Sequence, residues 1–225
     1  AAKVKADLRS ADVATRQGAI RSLVHSDLSP KLFAEMRTAL SDQDGEVRST
    51  AATAIGNLGV DAVTAIPQLA AQLKSVAMKE ARETAARALG RIGKAAKEER
   101  QSLVSPLTTA TKEDADPVTR VVAHGALAML EISVDEQVVS LRKYLHHDEA
   151  LVRMKASHAL GMLGLVAKSA APEIVEVLKQ ETDSHRRGYV ARALGSTGDP
   201  ASLPALQAAL ERETDAGAQG EMRGA

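Results

Sequence analysis

Apolar residues along this chain recur in a helical rhythm, and the rhythm itself repeats. In the stretch DEALVRMKASHALGMLG, Asp148 to Gly164, the residues three, six, seven and ten places after Arg153 are Ala156, Ala159, Leu160 and Leu163, which share one face of a helix. The same arrangement follows Arg16, Arg48, Arg82, Arg120 and Arg187, at successive steps of 32, 34, 38, 33 and 34 residues. Three places on stand Ala19, Ala51, Ala85, Ala123, Ala156 and Val190; six on, Ser22, Ala54, Ala88, Ala126, Ala159 and Ala193; seven on, Leu23, Ile55, Leu89, Leu127, Leu160 and Leu194. A period of about 34 residues belongs to two-helix units that bury their apolar faces only by stacking on one another.

The ends of these helices are marked as well. Four residues before the arginine, Asp12, Asp44, Asp116 and Asp183 stand where a carboxylate can accept from the free amides of a first turn. At the other end, glycine pairs such as Gly56 and Gly59 or Gly161 and Gly164 suit close packing followed by a left-handed helix stop. A second, less regular set of helices is predicted at roughly 29–41, 61–75, 95–112, 134–146, 167–180 and 200–212. Pro30 fits a first turn there, while Pro67, Pro106 and Pro172 predict a kink or a late start.

The segments DQDGEVRSTAATAIGNLG (Asp42 to Gly59) and DADPVTRVVAHGALAML (Asp114 to Leu130) resemble HEAT repeats, in particular the short HEAT-like repeats of phycobilisome lyases. The resemblance covers residues 3–212 and implies an all-α fold, a right-handed α-α superhelix or α-solenoid of about six two-helix repeats. It also implies a ladder in which Arg16, Arg48, Arg82, Arg120, Arg153 and Arg187 bond turn acids, Asp42, Asp44, Asp114, Asp116 and Asp183, between repeats. The alternative for the arginines is a basic stripe that binds phosphates. The arginine-bearing helices are implied to line the concave surface.

Two places depart from the pattern. The third repeat has Val76 and Met78 where the preceding one has Asp42 and Asp44, which predicts an Arg82 without turn partners. The long step of 38 that follows adds charged residues near 94–101 and predicts a flex point in the single array 1–212. After that array, residues 213–225 are polar and Gly-containing and read as a disordered tail. The missing initiator Met reads as processing or an excised segment, and the compartment stays open.

Composition removes several chemistries. Lysine and arginine total 29 against 29 acidic residues, so no overall field favours nucleic acid, and one Phe, two Tyr and no Trp leave little to stack on bases. Without cysteine there is no disulfide, thiolate zinc site or thiol nucleophile. No apolar run is long enough to span a bilayer. His146, His147, Asp148 and Glu149 are the densest metal-capable cluster, but neighbours in one turn converge poorly on an ion, and no metal or other cofactor is expected. The HEAT-like iron enzyme deoxyhypusine hydroxylase uses His-Glu pairs, and this chain contains no such dipeptide.

Places two, five and nine after each arginine face away from the apolar stripe. In the first three repeats they read Gly18, Arg21, His25; Thr50, Thr53, Asn57; and Thr84, Arg87, Arg91, which is polar and mildly basic. Later they include Val122, Met129, Lys155, His158, Met162, Tyr189 and Arg192, adaptable apolar side chains beside cations. These seven are the candidate partner-binding residues, with gap-filling by the methionines as the alternative. The expected function is non-catalytic protein or peptide binding in the groove of residues 116–196. The alternative is an accessory lyase-type subunit that handles a tetrapyrrole there.

Overall fold

The computed structural model describes residues 1–75 and 79–225 and contains α-helices and short 3-10 turns, with no strand among those residues. The chain divides into two compact units, Ala1–Ile132 and Ser133–Ala225. The first holds α1 (Ala2–Asp7), α2 (Val13–Arg21), α3 (Phe33–Ala39), α4 (Gly45–Asn57), α5 (Ile66–Leu73), α6 (Lys79–Ala95), α7 (Arg100–Glu113) and α8 (Pro117–Met129). The second holds α9 (Val134–Tyr144), α10 (Ala150–Leu163), α11 (Ala171–Gln180), α12 (Ser184–Ser196), α13 (Leu203–Arg212) and α14 (Ala216–Arg223). Each odd-numbered helix pairs with the even-numbered one after it, and the even-numbered helices stack in turn, α2 on α4 on α6 on α8 and α10 on α12 on α14. This is the all-α helical solenoid that the periodicity predicts.

The columns of the repeat explain the stacking. Ala51, Ala85, Ala123, Ala156 and Val190, three places after the arginine, are fully buried, as are Leu23, Ile55, Leu89, Leu160 and Leu194 at seven places. Small residues between the large ones bring the helices close. At Gly161, eight places on, an added Cβ would lie 2.7 Å from Cα of Ala193, six places on in the next repeat. The helix then stops at Gly164, which takes a left-handed φ of 60°. Ser22, at the C-terminal end of the first even-numbered helix, is the one member of its column that is exposed.

The caps work as their spacing predicts. Asp12, Asp44, Asp116 and Asp183 accept from the amides of Thr15, Val47, Thr119 and Arg186 at 2.8, 2.9, 3.0 and 2.8 Å. Pro67 and Pro172 sit in the first turns of α5 and α11, each after a 3-10 segment, so they mark late starts, whereas Pro106 lies inside α7. Val76 and Met78 lie outside the described residues.

Two expectations are revised, on the single array and on the tail, and the structure places the residues of a third. The array is two compact units, and their division follows a repeat that lacks the glycine stop: Glu131 takes that place with φ 63°, and Ser133 follows with φ 46°. Residues 94–101, expected to flex, lie inside the first unit, where Nε of Arg100 donates to the carbonyl of Gly93 at 3.1 Å. The stretch 213–225 is no disordered tail, because it forms α14. Asp215 caps this helix through the amide of Ala218 at 2.8 Å, Ala218 and Met222 are buried, and Ala225 meets Gly195. A seventh hairpin thus continues the repeat, with Gln219 in the arginine column.

Candidate functional site

The turns before α4, α8, α12 and α14 are each built around one side chain six places ahead of the arginine column. There, Asp42, Asp114, Glu181 and Glu213 each accept with one carboxylate oxygen from the amide two residues on, at 2.8, 2.9, 2.9 and 2.9 Å. His147 holds the same place and accepts from the amide of Glu149 through Nδ1 at 3.1 Å. That nitrogen is occupied by the turn, and among the described residues no group of three or more His, Asp or Glu is placed to hold a metal ion.

The arginines close these turns. Nη1 of Arg16 donates to the carbonyls of Ser10 and Ala11 at 2.9 and 3.2 Å; Arg48 reaches those of Asp42 and Gln43, Arg120 that of Asp114, and Arg153 those of His147 and Asp148. The other edge of the guanidinium crosses to the next repeat. Arg16 takes Asp42 through Nε and Nη2 at 2.8 and 3.0 Å, Arg82 takes Asp114 at 2.7 and 3.0 Å, and Arg187 takes Glu213 through Nε at 2.8 Å. Two-pronged charge-assisted bonds of this kind fix orientation as well as spacing. They also hold the Arg16 and Arg82 guanidinium groups above the ordinary arginine range, in each case chiefly through the carboxylate bond and against the opposing effect of burial.

Several assignments from the sequence change. Asp44, Asp116 and Asp183 are caps whose oxygens serve first-turn amides, and the acids facing Arg16, Arg82 and Arg187 are Asp42, Asp114 and Glu213. Arg82, expected to lack turn partners, donates to the carbonyl of Ser75 at 3.1 Å as well as to Asp114 of the next repeat. Glu213 was missed because glutamate replaces aspartate in its column, although E-T-D at 213–215 has the spacing of D-Q-D at 42–44. Arg153 differs from its counterparts: its Nε is buried without a hydrogen-bond acceptor, because Glu181 turns to Arg186 at 3.0 Å. A cleft of about 300 Å3 lies beside it, lined by His146, His147, Asp148, Glu173, Glu176 and Gln180 among others.

The seven candidate partner-binding residues separate by unit. In the first, Val122 is half-buried and packs on the core, and the half-buried Met129 has its Sδ 3.7 Å from where a Cβ on Gly90 would sit. In the second, Lys155, His158 and Met162 lie three and four residues apart along α10, with Lys155 and His158 half-buried and Met162 42% exposed. On α12, which packs against α10, the half-buried Tyr189 meets His185 edge-on at 4.9 Å and carries the Arg192 guanidinium 5.0 Å over its ring. Arg192 also pairs with Glu221 of α14 at 3.1 Å. No helix among the described residues is long and apolar enough to cross a membrane.

A model of HEAT repeats matches residues 2–90, 37–127 and 104–188, and one of the PBS lyase HEAT-like repeat matches residues 186–212. No curated protein matches the chain. Among solved structures, a chain of the complex of CpcE and CpcF of phycocyanin lyase from Nostoc sp. PCC7120 is 22% identical with a TM-score of 0.57, covering 98% of this chain and 91% of that one. YibA from E. coli is 16% identical with a TM-score of 0.51, covering 100% of this chain and 92% of that one. At such identities the likeness is one of fold. The matched residues span most of the sequence and coincide with the hairpins described above, and the chain belongs to the HEAT-repeat family.

Proposed function

We propose that this chain is a non-catalytic protein- or peptide-binding scaffold and that the α10–α12 face of its second unit holds the partner. The observation that carries this reading is Met162, a large flexible apolar side chain 42% exposed on the same face of α10 as Lys155 and His158. Beside it, Arg192 stacked on Tyr189 supplies an aromatic surface already ordered by a cation. Apolar anchors within a polar, cationic rim suit recognition of a peptide with one or two apolar side chains. Val122 and Met129 belong to the packing of the first unit and drop out of the proposed surface.

Selection from a displayed peptide library tests the reading. Wild-type protein should enrich a motif, and the double variant Met162→Glu, Tyr189→Ala should lose the selected peptides while its unfolding transition stays in place. A loss of stability that parallels the loss of binding would assign these side chains to packing instead. A second reading, an accessory subunit of the lyase type, draws on the PBS lyase HEAT-like match over residues 186–212, which include Tyr189 and Arg192. It requires a shifted visible absorption band on mixing with a bilin.

A further inference from the structure

The stacked helices α2, α4 and α6 of the first unit present a polar face that the reading above leaves unused. Five places after the arginine column it carries Arg21, Thr53 and Arg87, and nine places after, His25, Asn57 and Arg91. Two of the cations are matched. Arg21 pairs with Glu46 at 3.2 Å, and Arg87 pairs with Glu83 one turn earlier on the same helix.

Arg91 is different. It is half-buried, and Nη1 donates to Oδ1 of Asn57, a neutral oxygen. The Asn57 amide is set by its own Nδ2, which donates to the carbonyl of Val24 at 2.7 Å, so its oxygen is the atom left for Arg91. Among the described residues no carboxylate lies within ion-pair distance of Arg91. Burial, and then the charge of Arg87, hold the Arg91 guanidinium below the ordinary arginine range, the reverse of Arg16 and Arg82 with their carboxylates. A half-buried cation without a counter-charge destabilises a fold. Its Nε–Nη2 edge, the edge that Arg16 and Arg82 offer to aspartate, makes no hydrogen bond among the described residues.

We propose that the α2–α4–α6 face of the first unit binds an acidic peptide segment, with the Nε–Nη2 edge of Arg91 taking one of its carboxylates and Arg21 and His25 flanking it. The geometry of a guanidinium fork matches a carboxylate two-prong to two-prong. A protein segment fits better than a nucleic acid strand because these columns contain no Phe, Tyr or Trp on which a base could stack. The inference goes beyond the α10–α12 reading, since it concerns other residues and another ligand chemistry.

The test is fluorescence anisotropy with a labelled octaglutamate peptide, alongside octalysine and an oligothymidylate, at about 50 and 300 mM salt. Octaglutamate should bind saturably and weaken as salt rises. Arg91→Gln should weaken it about tenfold, with a melting temperature unchanged or raised. Arg91→Lys, which keeps the charge and loses the fork, should also bind more weakly than wild type. The Met162→Glu, Tyr189→Ala variant should bind octaglutamate as wild type does, so failure of either surface is read separately. The inference is overturned by absence of saturable octaglutamate binding, by unchanged affinity in both Arg91 variants, by tighter binding of the oligothymidylate, or by a fall in melting temperature that accounts for the lost affinity.

Discussion

Replacing Gly161 with alanine would place a methyl carbon 2.7 Å from Cα of Ala193 and 2.9 Å from its Cβ and carbonyl oxygen. Non-bonded carbons rest about 3.5 to 4.0 Å apart, so α10 and α12 would have to separate by about 1 Å. Two of the three opposing atoms are backbone, and no change of rotamer on α12 relieves the clash. Overpacking a close interface costs about 1 to 3 kcal/mol, and a rigid backbone contact belongs at the top of that range. Alanine returns about 1 kcal/mol of helix propensity relative to glycine. The expected net loss is about 2 kcal/mol.

Gly18 supplies the control, since nothing lies within 4 Å of a Cβ built there. Gly18→Ala in α2 therefore keeps the propensity gain and should stabilise by about 0.5 to 1 kcal/mol. Urea denaturation followed by circular dichroism, with amide exchange reporting α10 and α12 separately, measures both variants. The same substitution thus has opposite signs at two helical glycines, decided only by what stands opposite. If Gly161→Ala is as stable as Gly18→Ala, close approach of the stacked helices is not what selects glycine in this column.

Arg82→Gln should cost about 3 kcal/mol because it strands Asp114, whose side chain is 5% exposed, whereas Arg153→Gln, which loses no carboxylate bond, should cost about 1 kcal/mol. Equal losses in urea denaturation would remove the distinction between the paired and the unpaired arginine. Acid should act through the turn carboxylates. Burial opposes ionisation of Asp42, but bonds from Arg16 and the Asp44 amide outweigh it; Glu213 is lowered first by the Asp215 amide, against burial and with help from Arg187. Folded values below the unfolded ones mean that the stabilisation is complete above about pH 4.5 and is lost as pH falls through the lowered values. Melting temperatures across a pH series should therefore hold near neutrality and drop below about pH 4; a decline that begins near pH 6 would point to histidine instead. Ser133→Gly should raise stability by about 0.5 to 1 kcal/mol by relieving a left-handed backbone at φ 46° and ψ 50°, read as a higher denaturation midpoint.

Much of this molecule is legible in its sequence. Burial columns at helical spacing predicted the stacked helices, and aspartates four places before the arginine predicted the caps, because both depend on contacts within one or two turns of chain. Pairing across repeats was less readable. Asp42 and Asp44 are two residues apart and chemically alike, yet one faces Arg16 and the other caps α4, and only the path of the turn between them assigns the roles. The seventh hairpin was hidden for a related reason: Glu213 and Gln219 replace the aspartate and arginine that marked earlier repeats, and their equivalence rests on hydrogen-bond geometry that residue type does not carry. For the candidate surfaces, sequence placed Val122, Met129 and Met162 on one kind of column. Tertiary packing separated them, burying the first two partly against neighbouring helices and leaving Met162 open, because exposure depends on what covers a residue from outside its own helix. Periodicity determined the repeating frame by itself, since each unit repeats the same local contacts; the distances between successive frames decided which arginine is paired, which cation stands alone and which methionine meets solvent.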